Sequence, residues 1–449
     1  MKKLIEYICF VFVIVVFNPL HAQVSDSAKK WNIQECYQYA TDHNIQISTL
    51  RLNEQTSLQD LSAAKGVRIP SLSGSVGNTF NNANNNAYGT GKLINQLSST
   101  GTYSVNSSIV LWNDNYYNNN ILQNNLLVQS AGLSVQQSLN NITLSITQAY
   151  LNVLLAKENE RYLIDLVNTT DSSVKQGQLL YDAGSIAKIN LLQLQSQLAS
   201  DKYLLVQSQN AIRQNLLTLK QILQLPTDTT FDITIPASVE SNMMMPALHD
   251  VEQTALQNFP EIKIGKLGVD IAALDIAKAK AGFKPVLKAS GALGSGYNDI
   301  ITNNVNPKTG YFTQSGNNFY QNLGVTLSVP IFSQRINKTN LEKANIAYKA
   351  ADLNFQNNQL VLTQAVEQAY LSALNAKQAF DAANQQLITV TESYRIANAQ
   401  LKLGAINAFD LLVQQNQYVQ AVQAYTQAKY TAVLQQKIYE FYIGKPVTL

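Results

Sequence analysis

The chain has 449 residues, of which 46% are hydrophobic and only 14% are charged, and its formal net charge is +3. So small a charge spread over so long a chain excludes the basic surface that nucleic-acid binding requires, so no nucleic-acid partner is expected. The low charge content also indicates that much of the exterior is covered by lipid or by another subunit.

The N-terminal segment, 1–22, has the parts of a secretory signal peptide. Lys2 and Lys3 supply the positive start, an apolar run extends from Ile8 to Phe17, and Ala22 offers a small residue for cleavage. The run is too short to anchor the protein as a helix, because a helical span needs ~20 apolar residues. We therefore expect an exported protein whose signal is removed.

Cysteine and histidine are scarce in the mature chain. Cys9 lies inside the signal, where lipidation is not expected, and Cys36 is predicted to be a buried structural residue. His43 and His249 are far apart in sequence and lack metal-ligand spacing. No nucleophile elbow or phosphate-binding glycine loop is present. We expect no catalytic residue, no metal site and no cofactor, and hence no enzyme.

Residues 23–226 predict a first repeat made of a short helix, two strands and a long helical hairpin. The short helix is expected over 46–66. The strand pair, 71–112, alternates between apolar and small polar residues, as strands with two different faces do. Its middle, 81–101, is rich in Asn, Gly and Ser and predicts a loop.

The rest of this repeat predicts two helices. No proline occurs between Pro70 and Pro226, and Gly184 is placed to end one helix before the next, 188–224, begins. The first of them should have about 65 to 70 residues and reach on the order of 100 Å, at ~1.5 Å per residue. Apolar residues alternately three and four apart, with frequent Ala, indicate coiled-coil packing.

A linker, 227–246, contains an alternating patch, 231–235, that predicts a small strand. Residues 247–449 then repeat the first region. This second repeat is predicted to contain a short helix (261–283) and a strand pair (286–332) with a loop at 298–318. A long helical hairpin follows, with a turn at Gly404 and a last helix at 407–442. The repeat is marked by Pro70 with Pro285, Trp112 with Phe332, Tyr150 with Tyr370, Gly184 with Gly404, and Pro226 with Pro446. An internally duplicated architecture is therefore expected.

The four strands have features of membrane-spanning strands. Each is about ten residues long, enough for a tilted span of ~9–11 residues. Aromatic residues gather near both ends, as in interfacial girdles. They are Phe80, Tyr103, Tyr297 and Phe319 by the loops, and Trp112, Phe283 and Phe332 by the helices. A soluble sandwich with one wet face would alternate in the same way, and the repeat favours the membrane interpretation.

Four strands cannot close on themselves, and lipid tolerates strands only in a closed barrel. Several chains must therefore contribute to one barrel. Two chains would give eight strands and an interior filled by side chains, whereas three would give twelve strands and a water-filled lumen. We predict an α+β membrane protein, a homotrimer with a twelve-stranded barrel on a long α-helical coiled-coil barrel.

Several motifs of the sequence are similar to those of a known family. They are the Pro-x-Leu strand starts, the strand end Val329-Pro330-Ile331-Phe332, the glycine turns followed by Leu-Leu, and the opening segment Trp31-Asn32-Ile33-Gln34-Glu35-Cys36. With these motifs the sequence resembles the TolC family of outer-membrane efflux proteins over nearly all of 31–446. The resemblance implies an outer-membrane protein extending into the periplasm, and a passive exit duct of a tripartite efflux or secretion system, such as multidrug efflux.

The same resemblance implies partners. A periplasmic adaptor protein and an inner-membrane pump of RND or ABC type would dock at the periplasmic end, and outer-membrane lipid would surround the strands. The residues expected to contact the adaptor are those at the helix tips: Ala183, Gly184, Ser185, Leu403, Gly404 and Ala405.

A pore constriction is expected just beyond the tips. Asp410 matches an acidic position of the family, Val413 stands at the family's next acidic position, and Asn190 stands at the matching place in the first repeat. Three copies of Asp410 would form a carboxylate ring that favours cations. An equally good interpretation is that Asn407 and Asp410 cap the helix, and Phe409 could instead obstruct the entrance.

The alternative function is that of a periplasmic coiled-coil adaptor or spacer. An adaptor should have one helical hairpin that interrupts β-rich domains, whereas this chain predicts two hairpins and two strand pairs. The expected lumen residues are small and neutral, so drugs, metal ions, siderophores and peptides all remain open as cargo.

Overall fold

The computed structural model describes residues 30–86, 91–236, 245–301 and 309–445. The expected signal peptide, 1–22, lies outside the described residues. The elements in chain order are β1 (Lys30–Trp31), α1 (Ile33–His43), α2 (Ile45–Gly66), β2 (Ser71–Asn86), β3 (Leu93–Trp112), α3 (Tyr116–Asp182), α4 (Lys188–Ile222), β4 (Asp232–Ile233), α5 (Leu248–Asn258), α6 (Pro260–Ala281), β5 (Val286–Ile300), α7 (Tyr311–Asn317), β6 (Tyr320–Ser328), α8 (Ile336–Lys402) and α9 (Ala408–Phe441).

The two longest helices, α3 and α8, have 67 residues each. At ~1.5 Å per residue, each is about 100 Å long, well beyond the diameter of a small domain. Each follows a pair of strands and ends at a glycine turn, after which the chain reverses into α4 or α9. None of the helices in the described ranges contains a segment long and apolar enough to cross a membrane.

The helices pack side by side into one elongated layer. α4 lies along α3 and α9 lies along α8, so each pair forms a hairpin. α2 also packs on α3, and α6 packs on both α8 and α3. Because α2 precedes the strands while α4 follows the turn, the two shorter helices cover different parts of the long helix. Contacts of α9 with α3 and α4 join the two hairpins.

The four long strands form a single antiparallel sheet in the order β2-β3-β5-β6. The register pairs Val76 with Tyr103, and Val105 with Leu293. A shift in the register between Val110 and Trp112 marks a bulge where β3 approaches α3. β2 and β6 are the two edges of the sheet.

The first strand pair is longer than the sequence predicted. Residues 81–86 and 93–101, expected as loop, continue β2 and β3 in register. Asn and Gly have low strand propensity, which is why the pattern predicted a loop. Amide side chains compensate by hydrogen bonding across the hairpin: Asn85 Nδ2 donates to Gln96 Oε1 at 2.9 Å, and Asn95 Nδ2 donates to Asn84 Oδ1 at 3.2 Å.

The second strand pair also departs from the prediction. The expected loop 298–318 contains the helix α7, which lies against β5. β6 ends at Ser328, whereas the sequence predicted strand as far as 332. Pro330 explains this end, because proline has no N–H with which to continue a ladder.

The main apolar core lies where the N-terminal helix meets the long helices. Ile33 and Cys36 of α1 are buried with Val153 of α3 and Val433 of α9. The side chain of Cys36 is 0% exposed, as the sequence predicted, and burial, followed by the nearby Glu35, raises the pKa of its thiol to about 12.

The first part of the linker, which contains β4, is hydrogen bonded to this core. β4 pairs in parallel with β1, so Trp31 lies beside Ile233, within the 231–235 patch that the sequence marked as a small strand. The hydroxyl of Tyr150, on α3, donates to the backbone oxygen of Thr234 at 2.7 Å. A similar hydrogen bond occurs in the second half of the chain, where the Tyr439 hydroxyl donates to the backbone oxygen of Pro246 at 3.0 Å.

Candidate functional site: the sheet and the hairpin tips

The two faces of the sheet differ sharply in chemistry. On one face, aligned by the register, lie Leu72, Val76, Leu323 and Val325, whose exposed fractions are 77%, 80%, 87% and 65%. Folding one chain thus leaves these apolar side chains in contact with solvent. Exposed apolar side chains on both edge strands of one face indicate a surface for lipid or a partner.

The opposite face is made of small polar residues. Ser75 and Ser104 are hydrogen bonded through their hydroxyls at 2.8 Å, and Ser71 and Ser108 in the same way at 3.2 Å. Among the described strand residues, Lys288 is the only charged side chain on this face, and it is exposed. The face is therefore hydrophilic, with a single positive charge per chain near the helical end of the sheet.

The edges of the sheet are open within the described residues. β2 pairs only with β3, and β6 pairs only with β5. Each edge thus presents one side of a strand without a ladder partner in the chain. Unpaired backbone groups cannot be left in lipid, so a sheet with this apolar face requires a neighbour at both edges.

The expected girdle residues lie in two groups, one at the helical end of the sheet and one farther along the strands, where Phe80 and Tyr103 stand inside the extended β2 and β3. At the helical end, Trp112, Phe283 and Phe332 are exposed by 45%, 44% and 84%; in the other group, Phe80 and Phe319 are exposed by 68% and 59%. Tyr103 and Tyr297 differ, because both are partly covered by Tyr311 of α7. The sequence offered no signal for this cover, since α7 has no apolar periodicity.

The two hairpin tips have the same backbone geometry. Gly184 and Gly404 both have φ of +73°, a left-handed conformation that glycine adopts without strain. At the first tip the N–H of Ser185 donates to the oxygen of Leu180 at 2.8 Å, and at the second the N–H of Ala405 donates to that of Gln400 at 2.9 Å. This is the Schellman ending of a helix.

Both tips are also exposed to solvent. Ala183, Gly184, Ser185, Leu403, Gly404 and Ala405 are all exposed. A Cβ placed on either glycine would meet no other atom within 4 Å. Each tip is therefore a small, open projection against which another protein can pack closely.

The expected constriction residues lie in the first turns of the helices that follow the tips. The backbone N–H of Asp410 donates to Asn407 Oδ1 at 2.9 Å, which is the capping contact that the sequence suggested. The Asp410 side chain is exposed, as is Phe409 at 59%. Asn190, in the first turn of α4, is half-buried. Capping by Asn407 leaves the carboxylate of Asp410 free to face outward, so the two interpretations of this residue are compatible.

A buried polar cluster, which sequence analysis missed, lies farther along the hairpins. The hydroxyl of Thr170 donates to Asp201 Oδ2 at 2.7 Å, and Gln197 Nε2 donates to Asp201 Oδ1 at 2.8 Å. Gln415 Nε2 donates to the Thr170 hydroxyl at 3.0 Å. These residues belong to α3, α4 and α9, so the cluster joins the two hairpins. The signal was present: Asp201 continues the three-four spacing of Leu191, Leu194 and Leu198.

An aromatic group flanks this cluster. Tyr418 stacks on Tyr394 with ring centroids 5.1 Å apart, and contacts Tyr162 edge to face at 6.1 Å. Burial raises the pKa of Tyr162, with a smaller contribution from Tyr418. Burial also raises the pKa of Tyr418, so the Tyr162 and Tyr418 rings remain neutral at physiological pH and this junction is held by packing and hydrogen bonds. Within the described residues, no group of three or more His, Cys, Asp or Glu side chains could hold a metal ion.

Comparisons with known proteins agree with this architecture. Residues 251–438 match the family model described as outer membrane efflux protein. No curated protein matches the chain significantly. Among solved structures, the chain is similar to CusC, whose structures concern transmembrane channel formation, with a TM-score of 0.77 and 16% identity over 92% of each chain.

Two further similar structures come from Campylobacter jejuni and Vibrio cholerae. The outer membrane channel CmeC of Campylobacter jejuni has a TM-score of 0.76 and 17% identity, over 92% of this chain and 86% of CmeC. The outer membrane protein VceC of Vibrio cholerae has a TM-score of 0.75 and 14% identity, over 92% of this chain and 96% of VceC. At such identities the likeness establishes the fold, and the family match applies to residues 251–438. Residues 251–438 thus match the outer membrane efflux protein family, and the chain as a whole has the fold of CusC, CmeC and VceC.

Proposed function

We propose that this chain is one subunit of a homotrimeric exit duct that carries solutes passively across the periplasm and the outer membrane. The observation that carries the proposal is the sheet of four strands with two open edges and one exposed apolar face. Three copies joined edge to edge, β2 to the neighbour's β6, give twelve strands, enough for a barrel with a water-filled lumen.

The chemistry of the two faces supports this arrangement. The apolar face would contact lipid, and the face of Ser, Thr, Asn and Gly residues would line the lumen. Small neutral side chains neither fill a twelve-stranded barrel nor bind a solute tightly. The lumen is accordingly suited to passage of varied cargo.

The hairpin tips support a tripartite system. In the proposed trimer, three chains present six exposed glycine tips at the periplasmic end, about 100 Å from the sheet. A periplasmic adaptor would pack on these tips and connect the duct to an inner-membrane pump of RND or ABC type. The pump supplies the energy, and the duct conducts what the pump delivers.

The entrance of the duct is proposed to lie at the first turn of α9. Asp410 is exposed there, its helix start is fixed by Asn407, and the adjacent Phe409 is also exposed. Asn190 stands at the corresponding place on α4. Three copies of Asp410 around one axis would form a ring of carboxylates that attracts cations.

Conductance of the purified protein in a planar lipid bilayer tests the duct. We expect discrete channels that prefer cations, and a smaller preference in Asp410→Ala, because the charge at the entrance is removed. Asp182→Ala is the matched control, since Asp182 is an exposed carboxylate at the other tip. Absence of channels would reject the duct; equal selectivity of Asp410→Ala and the parent protein would reject the carboxylate ring alone.

A further inference from the structure

The helix α7 occupies an unexpected position on the sheet. It lies on the apolar face, because its partners Tyr103, Ser295 and Tyr297 share that face with Val105 and Leu293 in the register. The Tyr311 hydroxyl donates to the Tyr103 hydroxyl at 2.7 Å, and the Tyr311 ring lies 4.8 Å from that of Tyr297. A helix between two strands has thus folded outward, over the surface that faces lipid in the proposed barrel.

Its attachment to β5 involves polar groups of the loop as well. Ser295 donates its hydroxyl to the backbone oxygen of Ser315. The backbone N–H of Asn298 donates to Gln314 Oε1 at 3.0 Å, and Asn318 Nδ2 donates to the backbone oxygen of Gly296 at 2.7 Å. Contacts at both ends of α7 therefore fix its position on the sheet.

The level of α7 along the strands coincides with a membrane boundary. Trp112 marks the helical end of β3, and Tyr103 lies about nine residues away, roughly 30 Å along a strand at ~3.4 Å per residue. With a strand tilt of about 40°, this corresponds to roughly 23 Å along the membrane normal, close to the ~25 Å apolar band of outer-membrane barrels. If Trp112 lies at the periplasmic boundary, Tyr103 and the helix above it lie at the outer boundary.

The composition of α7 suits such a boundary. The helix carries no charged residue. Phe312, next to Tyr311, is 86% exposed, although its ring packs at 5.1 Å against the Tyr311 ring. An exposed aromatic ring beside polar amides and hydroxyls is the chemistry that favours the interface between acyl chains and headgroups.

We propose that α7 is an interfacial foot that inserts Phe312 among the outer-leaflet lipids at the acyl–headgroup boundary. Tyr311 takes over the interfacial role expected of Tyr103 and Tyr297, which it partly covers. The inference rests on the proposed function in one respect, namely that the apolar face of the sheet meets lipid.

Tryptophan fluorescence tests whether residue 312 of the interfacial foot lies at the acyl–headgroup boundary. Phe312→Trp is placed in the otherwise native chain, and the signal of the parent, which contains two tryptophans, is subtracted. The protein is reconstituted in phosphatidylcholine vesicles whose acyl chains carry bromine either near the headgroup or near the terminal methyl group. Iodide serves as the aqueous quencher. Because Phe312 is exposed, the substitution should leave folding intact, which heat-resistant oligomer on a gel verifies.

Two reference variants calibrate the result. Val325→Trp lies on the apolar face, and Asn86→Trp lies at the exposed outer end of β2. We expect at least a twofold stronger quenching of Phe312→Trp by the shallow bromolipid than by the deep one, and weaker quenching by iodide than Asn86→Trp shows.

Quenching of Phe312→Trp identical to that of Asn86→Trp would overturn the proposal and would leave a protein partner to cover α7. Val325→Trp separates this failure from a failure of the proposed function. If Val325→Trp itself is not quenched by bromolipid, then the sheet does not face lipid, and both proposals fail together.

Discussion

At the scale of single residues, the buried Asp201 is the side chain that best explains how the helices keep their register. It is 0% exposed, and among the described residues no other carboxylate is so fully buried. Its oxygens accept hydrogen bonds from Thr170 and Gln197, and Thr170 in turn accepts from Gln415. A polar residue at a core position of a coiled coil fixes the register of the helices around it.

Replacement of Asp201 by Ala should therefore destabilise the protein. The change leaves the Thr170 hydroxyl and the Gln197 amide without their acceptor, at a cost of about 2–3 kcal/mol for hydrogen bonds to a buried charged group. Asp201→Asn keeps one acceptor oxygen and should lose about half as much. Thermal unfolding followed by the helical circular dichroism signal measures both. Asp165→Ala, at an exposed position on α3, is the control; melting of Asp201→Ala at the temperature of this control would contradict the role of the cluster.

Lys288 is the second residue with a specific expected effect. It is the one charged side chain that the described strands place on the polar face. In the proposed lumen, three copies would raise the local anion concentration near the periplasmic end of the barrel. Lys288→Glu should therefore shift the reversal potential in a salt gradient toward greater cation selectivity, and the shift should shrink at high salt because charges are screened.

The control for Lys288 is Lys92→Glu, which makes the same charge change at an exposed residue directly before β3. This variant should alter the reversal potential much less. Equal shifts in the two variants would show that Lys288 does not line the lumen.

At the scale of elements, the sequence predicted the helices closely and the strands less well. Helices expected over 46–66 and 188–224 are found at Ile45–Gly66 and Lys188–Ile222. Proline and glycine punctuation, together with a long apolar period, determines such helices through local physics. The extension of β2 to Asn86 and the helix α7 depend on contacts made after folding, such as the amide pairs across the hairpin and the packing of Tyr311 on Tyr103.

The candidate site could likewise be predicted from the sequence only in part. The glycine turns at the two tips could be predicted from sequence, because turn chemistry is a local property. The girdle role of the aromatic residues stays a prediction. The Asp201 cluster brings together residues from three helices, of which Thr170 and Gln415 are widely separated in sequence. The place of α7 over the apolar face also depends on tertiary packing. The apolar periodicity of a helix does not predict which other helix a polar core residue will contact.

The hairpin tips allow a prediction at this scale. Gly404→Leu and Gly444→Leu both force a side chain into a left-handed conformation, since the two glycines have φ of +73° and +82° and both are open to solvent. The backbone strain should be similar, about 1–2 kcal/mol. Only Gly404 lies at a tip, so only Gly404→Leu should also block docking of an adaptor.

Cellular resistance separates the two variants. The test uses compounds to which deletion of the gene sensitises the host. Gly444→Leu should restore resistance and Gly404→Leu should not, with equal amounts of both proteins in the outer membrane. Full resistance with Gly404→Leu would contradict docking at this tip.

At the scale of the whole molecule, one polypeptide supplies a layer of long helices and an incomplete sheet. Its exposed apolar face and its two open strand edges are tolerable only when neighbouring copies and lipid cover them. The helical layer has the same requirement, because its surfaces are incompletely buried within one chain. Association into a closed ring satisfies the sheet and the helices together.

The number of chains in the detergent-extracted particle tests this account most directly. Native mass spectrometry of the unheated protein should give three times the mass of one mature chain, and the same preparation should form channels in a planar bilayer. A single chain that holds a sealed, conducting pore would contradict the account, because four strands would then have closed a barrel without a neighbour.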